Sequence, residues 1–360
     1  MNNSAILLHN VSLVVQTALP SNLYYFLAAY LTLTGYNIQS SFFSFILAII
    51  SFCGNSLVIY IFTRSRLARY SVNIFMVNIG VANLFESLLG YPMAIISNIY
   101  CGWYFGDLGC QLYAFFVFSG AVCNIMTYAF LGIYRYLLVS SPECKYTLLA
   151  FLVKYKHTRN IINVLIVNFA AEFVRVEKVG LTIVLTWLYA FLWSTFPFIG
   201  WGKYGIEPFG TSCSIDWMSK SEDTRSYIMS VFIFVFMLPV GIIIIFYYKV
   251  SVKIRNTVSI SLDGDTGTSI SNPRHGVRTE GRVIQDTVLK NIGRSMIAFL
   301  VAWVPYACVA ILVTIGVNIS IYFSIIPTFF AKTQTAVNIF VYAAGFPDFR
   351  TELKRLIWKG

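Results

Sequence analysis

The sequence predicts an all-α membrane protein built around seven membrane-spanning helices. Of its 360 residues, 58% are hydrophobic and only 11% are charged, and the mean hydropathy is +0.71. Soluble domains carry about 25% charged residues, because their surfaces face water. The hydrophobic residues also gather in long runs, and the charge of the loops between these runs alternates. These observations exclude a soluble domain and predict a helical bundle in a lipid bilayer.

Seven apolar runs are long enough to cross a bilayer, whose hydrocarbon core of about 30 Å needs about 20 helical residues. The loops that follow the first, third and fifth runs are basic, whereas those after the second, fourth and sixth contain acidic residues. Because positive charge gathers on the cytoplasmic side, this pattern predicts an N-terminus outside and a C-terminus inside. The predicted spans are approximately residues 41–63, 72–97, 108–138, 180–200, 226–250, 291–316 and 321–344.

The chain divides into the seven-helix bundle, residues 41–344, and several segments of different character. The N-terminal segment, residues 1–40, contains an extra apolar stretch that is either an interfacial helix or an eighth span, and the loop charges argue against the eighth span. Residues 139–179 are predicted to be an enlarged cytoplasmic loop, with a membrane-lying helix as one alternative. Residues 256–282 are rich in Ser, Thr, Gly and Asp and are predicted to be a flexible loop. Residues 345–360 are predicted to form a short, amphipathic cytoplasmic tail.

The ionisable residues exclude several classes of function. The formal net charge is +11, but the basic residues stand in short loops beside apolar runs, which is not the pattern of a nucleic-acid-binding surface. The seven cysteines stand singly without CxxC spacing, and the three histidines lie outside the apolar runs. We therefore expect neither a metal site nor a nucleic-acid partner.

Lys332 is the residue that carries most chemical information. It is the only charged residue between Arg294 and Asp348, and it lies about ten residues from either end of its apolar run. A lysine at mid-bilayer costs about 2.5–3.5 kcal/mol, so its retention indicates a function unless it reaches the interface. A lysine in apolar surroundings loses its proton readily and can form a Schiff base with an aldehyde. The residue types alone leave a covalent and an ion-binding function open.

The residues around Lys332 resemble a known family. The segment Phe330-Ala331-Lys332-Thr333, followed by Asn338 and Tyr342, is similar to the seventh helix of opsins, in which the lysine binds retinal. The resemblance to opsins, and so to rhodopsin-like G-protein-coupled receptors, extends over most of residues 41–357. Other spans match in order through Asn55, through Cys110 and Arg135, through Trp187, through Pro239 and Tyr247, and through Trp303-Val304-Pro305-Tyr306.

The resemblance implies a retinal, 11-cis or all-trans, that is bound covalently to Lys332 as a Schiff base. The second extracellular loop, residues 202–217, is most similar to that of neuropsins, with peropsins and encephalopsin-like opsins next. By this resemblance Cys213 forms a disulfide with Cys110. Glu207, six residues before the loop cysteine, is then the counterion of the Schiff base.

Further residues are expected around the retinal. Glu86 lies inside the second span, where a carboxylate should face the bundle interior, and it is a second candidate acid. Tyr113 stands at the alternative counterion position on the third helix, where it can offer a hydrogen bond but no carboxylate. By the same resemblance, Trp303 and Tyr306 line the pocket together with Tyr113.

The resemblance implies a heterotrimeric G protein as partner and a protein of the plasma or photoreceptor membrane. Two motifs depart from the family, because Tyr134 stands where an acid usually precedes the arginine and Ile339 replaces a proline. Two functions therefore remain: a light-activated receptor, which is not an enzyme, and a retinal photoisomerase with little or no signalling. The residues expected to form the G-protein switch are Arg135, Tyr247, Asn338 and Tyr342.

Overall fold

Eight helices and one short β-hairpin make up the described part of the chain. The structure is a computed structural model, and it describes residues 21–64, 71–154, 176–263, 273–319 and 321–358. The helices are α1 (Ser21–Arg64), α2 (Ser71–Ile99), α3 (Gly106–Lys154), α4 (Val176–Thr195), α5, α6 (Pro273–Thr314), α7 (Ile321–Gly345) and α8 (Pro347–Trp358). Within α5, Glu222–Ser230 and Leu238–Asp263 are α-helical and Val231–Met237 between them is π-helical. The hairpin consists of β1 (Tyr204–Ile206) and β2 (Cys213–Ile215).

Six of the described helices, α1 to α6, are long and apolar enough to cross a membrane. Their apolar portions agree with the predicted spans to within a few residues: the second, for example, is Val72–Ile99 and the third is Gly106–Leu138. The seventh predicted span coincides with α7. The sequence therefore predicted the positions of the spanning helices correctly.

Several helices extend further than predicted. Helix α1 begins at Ser21, so the helix that contains the first span also includes the apolar stretch within residues 21–40. Helix α3 continues to Lys154, although a loop was predicted from residue 139. Helices α5 and α6 occupy both ends of the predicted flexible loop. Extending a formed helix costs far less than nucleating a new one, which favours such continuation. Residues 1–20, 155–175 and 264–272 lie outside the described residues.

The side chains of α4 illustrate how the bundle divides lipid-facing from buried surface. Two stripes with the 3–4-residue spacing of a helix run along it. The buried stripe consists of small or polar side chains that pack on α2 and α3, whereas the exposed stripe consists of large aliphatic ones. The buried residues are Val179, Thr182, Thr186 and Ala190, and the exposed residues are Leu181, Val184, Leu185, Leu188 and Leu192. Exposed leucine and valine at this density are typical of a face that contacts lipid.

The largest buried cluster joins the bundle at one end, and the hairpin covers the other. The cluster draws side chains from every helix and includes Phe62, Tyr128, Phe299 and Tyr342. The hairpin strands pair antiparallel, with Ile206 opposite Cys213. This arrangement leaves an internal space between the hairpin and the cluster.

Helix α8 is amphipathic, as the tail was predicted to be. Phe349 is fully buried, with its ring centroid 5.7 Å from that of Phe62 on α1. The basic residues Arg350, Lys354 and Arg355 are exposed. The helix is thereby docked against the end of the bundle.

Candidate functional site

A cavity of about 210 Å³ lies under the hairpin, between α2, α3, α5, α6 and α7. Its wall is mostly apolar and aromatic, with side chains such as Val117, Phe118, Ile125, Phe232 and Phe236. All six residues that the sequence suggested for the pocket line this one cavity: Lys332, Glu207, Glu86, Tyr113, Trp303 and Tyr306. An apolar cavity with a few convergent polar groups is the usual form of a small-molecule site.

Lys332 projects from α7 into the cavity and reaches the hairpin loop. Its Nζ lies 3.5 Å from Oγ of Ser212 and 5.6 Å from the ring centroid of Phe209. Within the described ranges, no carboxylate forms an ion pair with Lys332. The amine is therefore held among an aromatic ring, a hydroxyl and apolar walls, which is a setting that suits a nucleophilic lysine.

Ser212 connects Lys332 to the Glu207 carboxylate. The Ser212 hydroxyl donates a short hydrogen bond to Oε2 of Glu207, and the backbone N–H of Glu207 donates to the Ser212 carbonyl at 2.8 Å. The Tyr306 hydroxyl donates to the other carboxylate oxygen at 3.3 Å. Glu207 is only 6% exposed, so these donors replace the water that it would otherwise bind. Ser212 was not predicted to belong to the site, although it immediately precedes the loop cysteine.

A disulfide anchors the loop that carries these residues. Cys110, at the start of α3, is bonded to Cys213 in β2, and their Cα atoms are 5.4 Å apart. This confirms the predicted disulfide. Both residues are buried, and the bond ties Ser212 and Glu207 to the third helix.

Glu86 lies deeper in the cavity wall, on α2, and is 7% exposed. Nδ2 of Asn124 donates a hydrogen bond to its Oε1 at 3.2 Å. The same Nδ2 donates to Oδ1 of Asn83 at 2.9 Å. The Glu86 side chain lies directly over Gly120 of α3, where an added Cβ would overlap the Glu86 Cγ. These contacts of Glu86 with Asn124 and Gly120 join α2 to α3, and the positions of the residues in the sequence did not predict them.

The aromatic residues of the site form two groups. Tyr113 is buried, packs edge-on against Trp103 with centroids 5.2 Å apart, and interacts with the Ser212 hydroxyl. Trp303 packs edge-on against Tyr306 at 6.0 Å and is stacked on Phe299 at 6.1 Å. The Trp303 indole N–H has no hydrogen-bond partner among the described residues.

The four residues expected to form a G-protein switch lie toward the opposite end of the bundle. Asn338 accepts a hydrogen bond from Tyr128 at 3.2 Å, and Tyr342 is fully buried in the large cluster. Tyr247 lies against Gly293, where any Cβ would meet its hydroxyl. Arg135 is 6% exposed, and its Nε has no partner in the described part of the chain. No hydrogen bond among the described residues joins these four side chains to one another.

Comparison with known proteins places these features in a family. The family described as 7 transmembrane receptor (rhodopsin family) matches residues 54–148 and 164–342. A G0-coupled rhodopsin of Mizuhopecten yessoensis is 31% identical over 305 residues, which are 85% of this chain and 68% of that protein. A melanopsin of Rutilus rutilus is 30% identical over 87% of this chain, which spans 57% of the length of that melanopsin. The crystal structure of squid rhodopsin superimposes with a TM-score of 0.76 at 26% identity, covering 90% of this chain and 86% of the squid protein.

Proposed function

The chain belongs to the rhodopsin family of seven-transmembrane receptors and, within that family, to the opsins, and on this premise we propose that it is a photoreceptor that binds retinal covalently at Lys332 and activates a G protein in light. The observation that carries the proposal is the position of the Lys332 amine. It enters a mostly apolar cavity, and the Ser212 hydroxyl alone separates it from a buried carboxylate. The particular resemblance to neuropsins stays a prediction.

The residues that line the cavity fit such a ligand. An elongated hydrocarbon with an aldehyde needs an amine at one wall, apolar side chains along the rest, and a negative charge near the amine. Lys332 supplies the amine, and Val117, Phe118 and Phe236 belong to the apolar walls. Glu207 supplies the negative charge, which Ser212 and Tyr306 hold in place by donating hydrogen bonds. Retinal bound there supplies the absorption of light and a light-driven change of shape.

Each polar residue then has a separate task. Ser212 accepts a hydrogen bond from the lysine nitrogen while it donates to Glu207, so it passes the negative potential of the carboxylate to the attachment point. The apolar walls exclude water, which strengthens this electrostatic interaction. Tyr113 also interacts with the Ser212 hydroxyl.

We propose that the hairpin lies on the extracellular side, with the N-terminus outside and the C-terminus in the cytoplasm. Disulfides persist in oxidising compartments, and the bond between Cys110 and Cys213 is at this end of the bundle. The basic loops that follow the first, third and fifth spans support the same orientation.

The route from the cavity to the proposed switch is a chain of direct contacts. Trp303 lines the cavity and stacks on Phe299, whose ring centroid is 5.5 Å from that of Tyr128. Tyr128 donates its hydrogen bond to Asn338. Pressure on Trp303 from the cavity would therefore act on α6 and α7 at once, and we propose that Arg135, Tyr247 and Tyr342 respond to it.

The covalent attachment is tested by Lys332→Ala. The purified chain, incubated in the dark with 11-cis or all-trans retinal, should form a visible pigment that borohydride reduces to a stable adduct on Lys332. Lys332→Ala should form none, because no other amine enters the cavity among the described residues. Lys203→Ala, which removes an exposed lysine beside β1, is the control and should behave like the parent chain. A covalent pigment in Lys332→Ala would refute this assignment.

Signalling is tested separately from binding. The reconstituted pigment should accelerate nucleotide exchange on a purified heterotrimeric G protein in light and not in darkness. A panel of G-protein subtypes is needed, because one relative is named a G0-coupled rhodopsin and another a GQ-coupled rhodopsin. Light-driven conversion of the retinal isomer without exchange on any subtype would favour the photoisomerase function instead.

A further inference from the structure

Tyr91 of α2 forms hydrogen bonds with the helical turn that carries Lys332. Its hydroxyl donates a hydrogen bond to the backbone carbonyl oxygen of Lys332 at 2.7 Å and lies 2.9 Å from Oγ1 of Thr335. The Thr335 hydroxyl is itself 3.5 Å from the same carbonyl. One phenol thus contacts both ends of the turn from residue 332 to residue 335. No motif in the sequence indicated a function for Tyr91.

The rest of Tyr91 is built into the wall of the cavity. The residue is 7% exposed, and its ring packs with Leu47 of α1 and Ala336 of α7. The ring cannot swing away without opening the junction of three helices. A buried phenol in a packed ring position holds its hydrogen-bond acceptors within a narrow range of positions.

The contact between Tyr91 and the Lys332 backbone matters because the hydrogen bond at the other end of the residue, from Nζ to Ser212, is already long. The Nζ–Oγ distance to Ser212 is 3.5 Å, which is the outer limit of a hydrogen bond. The flexible four-carbon stem of lysine can absorb small movements, so the position of the Lys332 backbone sets how many side-chain conformations bring the nitrogen to the serine. A shift of α7 away from the hairpin would make this contact less frequent and so weaken the connection of Lys332 to Ser212 and Glu207.

We propose that Tyr91 is a positioning residue for Lys332: its hydroxyl fixes the backbone of the attachment lysine at the height from which the side chain reaches Ser212. This rests on the proposed covalent attachment of retinal at Lys332. Tyr91 acts through the main chain of α7 and does not itself supply charge to the nitrogen.

The titratable groups around the nitrogen come from four elements. Glu207 of the hairpin loop is joined to it through Ser212, and Glu86 of α2 lines the same cavity. The phenols of Tyr113 on α3 and Tyr306 on α6 also face the cavity. Removing the Tyr91 hydroxyl leaves all four groups unchanged, so a changed titration would report the position of the lysine.

The test compares Tyr91→Phe with Tyr128→Phe. Both variants keep the aromatic ring and remove one hydroxyl that hydrogen-bonds to α7. The Tyr128 hydroxyl, however, binds Asn338, which lies nearly two helical turns from the lysine. Each variant is regenerated with retinal and its visible absorption is titrated with pH. In Tyr91→Phe we expect the ratio of protonated to unprotonated Schiff base at a given pH to fall roughly three- to tenfold, which lowers the titration midpoint by about half to one pH unit. Tyr128→Phe should titrate like the parent pigment.

A second readout uses the protein without retinal. Thermal unfolding of the two retinal-free variants should show similar losses of stability, because each has lost one buried hydrogen bond between helices. Equal stabilities with unequal titration midpoints would separate positioning of Lys332 from general support of α7. If Tyr91→Phe does not accumulate, Thr335→Val is titrated in its place and should shift the midpoint in the same direction.

The outcomes distinguish this inference from the proposed function. A parent chain that forms no pigment would refute covalent attachment. A parent chain that forms the pigment, with Tyr91→Phe or its substitute titrating at the parent midpoint, would overturn only the positioning function. A midpoint lowered equally in Tyr91→Phe and Tyr128→Phe would also overturn it, since the effect would then come from any loosened α7.

Discussion

A single hydroxyl stands between the positive and negative partners of the proposed Schiff base. Ser212 donates to Glu207, and this leaves its lone pairs facing Lys332. The arrangement lengthens the distance between the charges, which weakens their direct attraction, but in low-dielectric surroundings the remaining interaction is still strong. We therefore expect Glu207 to act as the counterion without a direct ion pair.

Glu207 and Glu86 differ in how they connect to the lysine. Glu207 reaches it through one serine, whereas the recorded hydrogen bond of the Glu86 carboxyl comes from Asn124, on the opposite side from the hairpin. We expect Glu207→Gln to lower the midpoint of the visible-band pH titration by about 1–3 units, because a nearby opposite charge favours the protonated form by this amount. Glu86→Gln should lower it less.

The two glutamine variants control for each other, because each replaces a carboxylate by an amide of the same shape. If Glu86→Gln lowered the midpoint more than Glu207→Gln did, the assignment of the counterion would have to be reversed. If both shifts were negligible, neither carboxylate would serve as the counterion. The spectra of both variants in the dark give the answer without any G protein.

At the scale of single helices, α3 departs from the opsin pattern at Tyr134, the residue next to Arg135. Arg135 lacks an adjacent acid, and Tyr134 in its place is 3% exposed and packs on Phe75 of α2 with ring centroids 5.5 Å apart. The arginine is thus free of one restraint that would hold the inactive state, while the tyrosine anchors α3 to α2 by packing. We expect the retinal-free protein to show basal nucleotide exchange on a G protein that it couples to.

Tyr134→Glu should lower this basal exchange. An ion pair with Arg135 worth about 0.7 kcal/mol would reduce the active population roughly threefold. The matched control is Tyr134→Gln, which loses the same aromatic packing against Phe75 without adding charge. Basal exchange that is equal in the two variants would argue that the acid–arginine pair has no effect in this protein.

Helix boundaries mark the limit of what the sequence predicted at this scale. The apolar runs placed the spans within a few residues, because a bilayer demands about 20 apolar residues in each. The ends beyond the bilayer carry no such demand. Polar or mixed segments such as residues 139–154 can continue a helix or leave it, and α3 continues to Lys154.

Across the whole molecule, the resemblance to opsins predicted which residues share the cavity, because it assigned Lys332, Tyr113 and Trp303 to positions in their helices and Glu207 to the second extracellular loop. It did not predict the contacts between helices. Ser212, Tyr91 and Asn124 act through distances of about 3 Å between elements that are far apart in sequence. Such distances depend on the packing of side chains, and no periodicity in one helix encodes the register of its neighbour.

The fit of Glu86 over Gly120 has a consequence for the history of the sequence. The two positions belong to different helices, yet a methyl group at 120 would occupy the space of the Glu86 side chain. Residue 86 can be shortened while Gly120 stays, whereas Gly120→Ala requires the Glu86 side chain to move or to be shortened first. We therefore expect the constraint to act in one direction: an acid at position 86 in this rotamer requires glycine at position 120.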